Sequence, residues 1–299
     1  MNKLSLGAIA LIAVTSGVAI APQVQAVGLT GLTGDNTLVN FDSASPDSAS
    51  FVQVTGIIGN LLGIDYRPAD GQLYGLANSN NIYTIDSGTG AATFVSTLSV
   101  SASSVGAKSG LDFNPVVDRL RVVGSNDQNF RINVDTGLTL VDGTLAYATE
   151  DTNFGVNPNL TAASYTNSFL GAPSPTRTTE LYNIDFALDT LTEQNPANAG
   201  TLTTVGSLGF DFSPRGGFSI FTDNDGVNTG FAATDSELYS IDLDTGASTS
   251  LGVIGGSRSL ISLASKPIPE PSSVIGSLAA VTLGGVAVMR RRRRQTVKF

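Results

Sequence analysis

The sequence predicts an all-β protein built from one four-stranded unit used repeatedly, and three observations carry that prediction. Helical periodicity is nearly absent from residues 27–266, where short alternating runs of Val, Ile, Leu, Phe and Tyr are broken by Gly, Asn, Asp, Ser and Pro clusters. A hexapeptide recurs as Gly63-Ile64-Asp65-Tyr66-Arg67-Pro68, Gly110-Leu111-Asp112-Phe113-Asn114-Pro115 and Gly209-Phe210-Asp211-Phe212-Ser213-Pro214, with a degenerate copy at Ala163-Ser164-Tyr165-Thr166-Asn167. Successive anchors (Asp65, Asp112, Ser164, Asp211) are 47, 52 and 47 residues apart. Each is followed by a strand such as Tyr83-Thr84-Ile85-Asp86 or Tyr239-Ser240-Ile241-Asp242 and then by a turn such as Gly88-Thr89-Gly90 or Asp244-Thr245-Gly246. Four strands in 45–50 residues is the spacing of a β-propeller blade, while the coils of a β-helix are much shorter.

Taken in order, the first complete unit reads as strands near residues 62–66, 73–77, 82–86 and 92–96. Asp-Thr-Gly between strands is a hairpin device: the carboxylate accepts from backbone N–H groups two residues on, and the glycine supplies the positive φ. Val39-Asn40-Phe41-Asp42 is an orphan copy of the second element with no hexapeptide before it. Residues 29–41 are therefore expected to pair with residues 251–263, because an unclosed propeller would leave raw edges on its first and last blades. Four anchors plus the orphan strands give five four-stranded blades, with six as the alternative. Two stretches depart from the repeat, a polar excursion at 146–158 and a lengthened hairpin at 189–200, and such loops belong on propeller faces.

The propeller region, 27–266, is bracketed by two sorting segments. At the N-terminus Lys3 precedes the apolar run 4–19, and Val24-Gln25-Ala26 offers small residues where a signal peptidase cuts, so residues 1–26 read as a signal peptide cleaved after Ala26. Residues 267–299 hold Pro269, Glu270 and Pro271, then the apolar stretch 272–289, then Arg290, Arg291, Arg292, Arg293 and Arg294. Eighteen residues of helix span about 27 Å, just enough for a transmembrane helix, and the arginine block would stay cytoplasmic. This arrangement resembles the PEP-CTERM sorting signal of Gram-negative bacteria. The resemblance implies an exosortase-type enzyme as partner, transient insertion in the inner membrane, and delivery to the cell surface or extracellular matrix. A plain single-span anchor is the alternative.

Charge narrows the partners. The residues outside 27–271 carry seven of the sixteen basic residues and none of the acidic ones, which leaves 25 acidic and 9 basic residues on the exported part, a net charge of −16. Nucleic acid is excluded as a partner for such a surface, and extracellular polysaccharide is the more compatible one. There is no cysteine and no histidine, so the fold uses no disulfide, and a conventional nucleophilic triad cannot be built.

Three groups of residues could carry chemistry. Asp65, Asp112 and Asp211 are repeat-equivalent carboxylates, which glycosidases place around a funnel, yet a residue recurring in each blade more often holds a turn through backbone N–H groups. Asp223, Asp225 and Asn228 have the oxygen density of a calcium loop. However, their glycine falls at the fourth position, no glutamate stands at the twelfth, and Asn-Asp-Gly is also an ordinary hairpin turn. Calcium is the one cofactor the sequence suggests. Arg119, Arg121 and Arg131 cluster in one blade, where they would form an ion-pair network with Asp112, Asp118, Asp127 and Asp135 or, alternatively, an anion or uronate site.

The run Gly110-Leu111-Asp112-Phe113-Asn114-Pro115 with Asp118-Arg119-Leu120-Arg121-Val122-Val123 resembles the domain-of-unknown-function 4394 family. So do Asp142-Gly143-Thr144-Leu145-Ala146-Tyr147, Ala163-Ser164-Tyr165-Thr166-Asn167-Ser168 and Leu181-Tyr182-Asn183-Ile184-Asp185. The resemblance spans roughly residues 38–263 and implies an exported, propeller-like protein without bringing an activity. The expectation is a non-enzymatic surface or matrix propeller with a binding or structural role. The alternative is a carbohydrate-active hydrolase or lyase using carboxylates at a propeller mouth.

Overall fold

Apolar strands separated by tight turns sort into five sheets around one axis in the computed structural model, which describes residues 26–100 and 109–270. In chain order, β1 (Gly28–Thr33), β2 (Thr37–Asp42) and β3 (Ser45–Gln53) form three strands of blade 1. Blade 2 comprises β4 (Leu61–Tyr66), β5 (Leu73–Ala77), β6 (Asn81–Ile85) and β7 (Ala92–Thr97). Blade 3 comprises β8 (Ser109–Asn114), β9 (Arg119–Gly124), β10 (Asn129–Ile132) and β11 (Thr139–Val141). The short β12 (Ala146–Tyr147) leads into β13 (Leu160–Tyr165), β14 (Leu181–Asp185), β15 (Thr190–Gln194) and β16 (Thr201–Ser207) of blade 4. Blade 5 comprises β17 (Gly216–Thr222), β18 (Asn228–Thr234), β19 (Glu237–Ile241) and β20 (Ser248–Val253), and β21 (Leu260–Ser265) returns to blade 1.

The ring closes as the orphan strands require. Strands β4, β8, β13, β17 and β21 are innermost and pack on one another in that order, with β21 against β4. N-terminal β1 pairs antiparallel with β21, from Leu29 opposite Ser265 to Thr33 opposite Leu260. The partner is thus 260–265; Leu251 belongs instead to β20 at the outer edge of blade 5. Val27, Leu29, Val39 and Phe41 are buried with Phe231, Leu238 and Leu260, so the two ends of the chain share one core with blade 5. Each such side chain contributes about 1.5–3 kcal/mol by leaving water.

Three other expectations need correction. Residues 209–214, the fourth hexapeptide, do not form the inner strand of blade 5; they lie in the connection before β17, and Asp211 is exposed. Blade 4 has five strands, because β12 at the start of the 146–158 excursion adds in parallel to β16. The 189–200 stretch is not one long hairpin loop, since it contains β15. The expected signal peptide (apart from Ala26), the span 272–289 and Arg290–Arg294 lie outside the described residues. Among the described residues no helix is long and apolar enough to cross a membrane. Residues 267–270, assigned to the sorting segment, pack on the propeller: Ile268 joins the core shared with blade 5, and Pro269 bridges to Leu170.

The glycine of the hexapeptide has a packing reason. A Cβ on Gly110 would stand 2.5 Å from the carbonyl carbon of Ala162, and one on Gly63 would stand 2.7 Å from a methyl of Leu111. Neighbouring inner strands approach too closely there for a side chain. In blade 5 the residue with this constraint is Gly217, whose added Cβ would strike the backbone of β21, while Gly209 faces open space.

Candidate functional site

All inner strands run the same way, from a lower face where they begin to an upper face where they end. Two residues past the constrained glycine in β4, β8 and β17, and on β13 and β21 as well, a polar side chain stands against the next blade. Asp65 Oδ2 accepts from the Phe113 N–H at 2.9 Å, and Asp112 Oδ1 accepts from the Tyr165 N–H at 3.2 Å. Ser164 Oγ accepts from the Ile220 N–H at 2.8 Å, and Ser219 Oγ accepts from the Ser265 N–H at 2.9 Å. Ser262 closes the belt by accepting from the Ile64 N–H and donating to the Ile64 carbonyl. The inner strands cannot hydrogen-bond through their free edges, so these side chains satisfy the backbone that the hub would otherwise bury.

Two members of this belt are carboxyls, and burial makes their charge costly. Burial pushes the Asp65 carboxyl up to about 8 against the hydrogen bonds from Phe113 and Tyr66. Burial and then the Asp65 charge hold Asp112 well above the usual carboxylate range, although Ser164 Oγ donates to it at 2.8 Å. Neither carboxyl forms an ion pair with a guanidinium among the described residues. Asp211, the expected third member, is absent from the belt, and Ser219 takes its place.

The upper end of the axis is covered. Residues 166–180 connect β13 to β14 with fifteen residues, where the equivalent connections in blades 2, 3 and 5 take six, four and five. This long connection touches all four other blades. Gly171 N–H donates to Pro68 O in blade 2, and Arg177 Nη1 donates to Pro115 O in blade 3. Leu170 N–H donates to Ile268 O after β21, and Asn167 exchanges hydrogen bonds with Asn228 in blade 5. Arg177 is buried and lies 3.5 Å from Glu270 of the expected sorting motif. Asp65 and Asp112 therefore do not open onto a funnel at this face.

The three arginines do converge. Asp112, Arg121 and Arg131 stand opposite one another across β8, β9 and β10, so they share the face of blade 3 that looks toward blade 4. With Asn114, Arg119, Leu140, Tyr165 and Asn198, Arg121 and Arg131 line an interblade cleft of about 470 Å³. Their acid is Asp142, a residue not expected beside them from the sequence. Arg121 Nη1 reaches Asp142 Oδ2 at 2.6 Å, and Arg131 grips both oxygens of Asp142 at 2.6 and 2.8 Å. Burial resists the Asp142 charge, but Arg131 and Arg121 overcome it and hold the carboxyl below its ordinary range. Arg121 is the fully buried one; it also donates to Tyr165 Oη, Asn129 Oδ1 and Asn198 Oδ1. Asp118 and Asp135, expected beside these arginines, are taken by Arg67 of blade 2, whose guanidinium binds both.

Arg119 remains least engaged, donating from its side chain only to the carbonyls of Val117 and Asp118. The cleft thus exposes Arg119 and part of Arg131 on a protein of strongly negative charge, with no carboxylate among its lining residues. Nothing short-range in the sequence marks Asp142, although two in-register arginines on neighbouring strands demanded an acid. Asn198 is out of reach of local pattern altogether.

The expected calcium ligands form a turn. Asp223 Oδ1 accepts from the Asp225 and Val227 N–H groups at 2.8 and 2.9 Å, and Asn228 Oδ1 turns to Thr222 and Asn167. These are the bonds of a hairpin, and no group of three or more acidic side chains able to hold a metal ion occurs among the described residues. A recess of about 730 Å³ lies on the upper face between blades 4 and 5 and includes Glu180, Asp223, Asp242 and Asp244.

Residues 37–264 match the family model described as "Domain of unknown function (DUF4394)". No curated protein matches the chain. Among solved structures, a structural-genomics protein of unknown function from Bacteroides thetaiotaomicron is similar at 18% identity and a TM-score of 0.45, over 75% of this chain and 57% of that one. The chain therefore spans little more than half the length of that protein. A chain of the nidogen/laminin complex is similar at 11% identity and a TM-score of 0.44, over 82% and 86% of the two chains. Virginiamycin B lyase from Staphylococcus aureus is similar at 14% identity and a TM-score of 0.38, over 77% and 71%.

Proposed function

The chain belongs to the DUF4394 family, and from that premise we propose that it is an exported five-bladed propeller that binds an acidic extracellular polymer through the interblade arginine cleft. One observation carries this: Arg119, Arg121 and Arg131 line a cleft with no acidic residue among its described lining, on a chain whose exported part bears a net charge of −16. Arg121 and Asp142 fix the geometry, and Arg119, together with the Arg131 nitrogen that Asp142 leaves unbound, offers guanidinium donors suited to the carboxylates of a polyuronate.

The competing hydrolase or lyase needs two carboxylates around an open site. The upper end of the axis is covered by 166–180, Asp65 and Asp112 are committed to backbone N–H groups, and no carboxylate lines the lower mouth. These features favour binding over cleavage. Export by way of a signal peptide and PEP-CTERM processing by an exosortase-type enzyme belongs to the same proposal, resting on Ala26, Pro269-Glu270-Pro271 and the arginine block.

Equilibrium binding to an oligouronate tests the site. Replacing Arg119 and Arg131 together by Ala should weaken it about tenfold, with the salt sensitivity of charge-assisted contacts. Arg258→Ala, which removes a half-exposed arginine paired with Asp35, should leave it unchanged. Equal affinity in all three proteins overturns the cleft as the site.

A further inference from the structure

The lower mouth of the axis has features that the arginine cleft does not use. Leu61, Ser109, Thr161, Gly216 and Ile261, at the beginnings of all five inner strands, ring a recess of about 150 Å³. Ser109 and Thr161 are 6% and 3% exposed, and Ser109 Oγ and Thr161 Oγ1 have no hydrogen-bond partner. Buried hydroxyls are ordinarily satisfied, so two orphans lining one recess mark a place for an acceptor. Arg215 stands on the rim, exposed and without an ion-pair partner among the described residues. Among the described residues the mouth therefore combines two unspent donors, one unspent positive charge and no carboxylate.

We propose that this mouth is a second ligand site, one that takes the carboxylate end of a small acid. The Ser109 and Thr161 hydroxyls donate to the carboxylate, and Arg215 supplies the counter-charge. A recess of about 150 Å³ holds roughly five waters' worth of matter at about 30 Å³ each, enough for a carboxylate on a short stem and too little for an oligosaccharide. The rest of the ligand projects into solvent. Because the hydroxyls sit on inner strands tied to one another by the hub belt, the donors are held rigid before binding.

Calorimetric titration of the purified protein with sodium glucuronate, with sodium glycerate and with neutral glucose tests the proposal. At least one of the two acids should bind saturably, and glucose should not; which acid binds tells an acidic sugar from a hydroxy acid. Arg215→Ala should weaken binding about tenfold, and Thr161→Val and Ser109→Ala about fivefold each. The last two remove an unsatisfied buried hydroxyl and keep the shape of the hub, so their melting should not fall. Arg131→Ala should not affect this binding. The proposal is overturned if neither acid binds, if Arg215→Ala and Thr161→Val bind like wild type, or if Arg131→Ala abolishes binding and Thr161→Val does not. That last pattern would return the ligand to the interblade cleft.

Discussion

Replacing Asp65 by Asn should change how the stability of this propeller depends on pH. Asp65 is buried in the hub, accepts from the Phe113 N–H, and has its carboxyl pushed up to about 8, chiefly by burial. In the unfolded chain the same carboxyl returns to an ordinary value near 3.9. Between those values the folded protein holds a proton that the unfolded chain has released. The contribution is fully present below about pH 4 and is lost as pH rises through about 8, at about 1.4 kcal/mol per pH unit. From pH 5 to pH 7 that amounts to about 3 kcal/mol, or roughly 6–12 °C in melting temperature for a domain of this size. Asn keeps an acceptor for Phe113 N–H and has no proton to lose. The stability of Asp65→Asn relative to wild type should therefore rise by about 3 kcal/mol over those two units. Carboxyls shifted the other way, such as Asp142, lose stability as pH falls, but they are common to both proteins and cancel in the difference. Chemical denaturation of both proteins at pH 5, 6 and 7 measures this. Parallel pH curves would refute the idea of a costly hub carboxyl.

Other consequences follow from the packing. Deleting residues 27–42 removes β1 and β2 and with them Val27, Leu29, Leu32, Leu38, Val39 and Phe41, all buried. At about 1.5–3 kcal/mol each this comes to about 9–18 kcal/mol, comparable to or larger than a whole stability of about 5–15 kcal/mol, so the deletion should yield no cooperative melting transition. Arg121→Ala should destabilise by about 3–5 kcal/mol because it breaks a buried ion pair, whereas Arg131→Ala, with a side chain 30% exposed, should cost about 1 kcal/mol. Comparison of their denaturation midpoints decides the order. Gly110→Ala drives a methyl into the backbone of Ala162 and should lower the melting temperature, while Gly209→Ala, whose φ of +77° carries only a conformational cost, should lower it less. Glu270→Gln should leave melting nearly unchanged and retain the protein in the inner membrane; unchanged release would favour a passive anchor.

The blade repeat was legible because hairpin turns and alternating strands are written locally. The first complete unit matches β4–β7 to within a residue at each end, and the orphan strand at Val39 announced closure by β21. The fourth anchor misled because Gly209-Phe210-Asp211-Phe212-Ser213-Pro214 copies the letters of the hexapeptide outside the constraint that explains them. What the hub requires is a glycine where inner strands touch and a small polar acceptor two residues later, and Gly217 with Ser219 meets that without resembling Asp-aromatic-x-Pro. The false match also hid an insertion. Counted to Ser219 the step from Ser164 is 55 residues, not 47, and the 166–180 connection is the long segment in that blade. The arginines of blade 3 were legible as a cluster, but Asp142 and Asn198 reach them only through the fold.

The distinction between binding and cleavage is tested most directly by incubating the purified protein with a polyuronate while following both the bound fraction and the chain length of the polymer. The account predicts saturable, salt-sensitive retention that depends on Arg119 and Arg131, with chain length unchanged however long the incubation. Shortening of the polymer that disappears in Asp65→Asn or Asp112→Asn would contradict it and make the hub carboxyls catalytic.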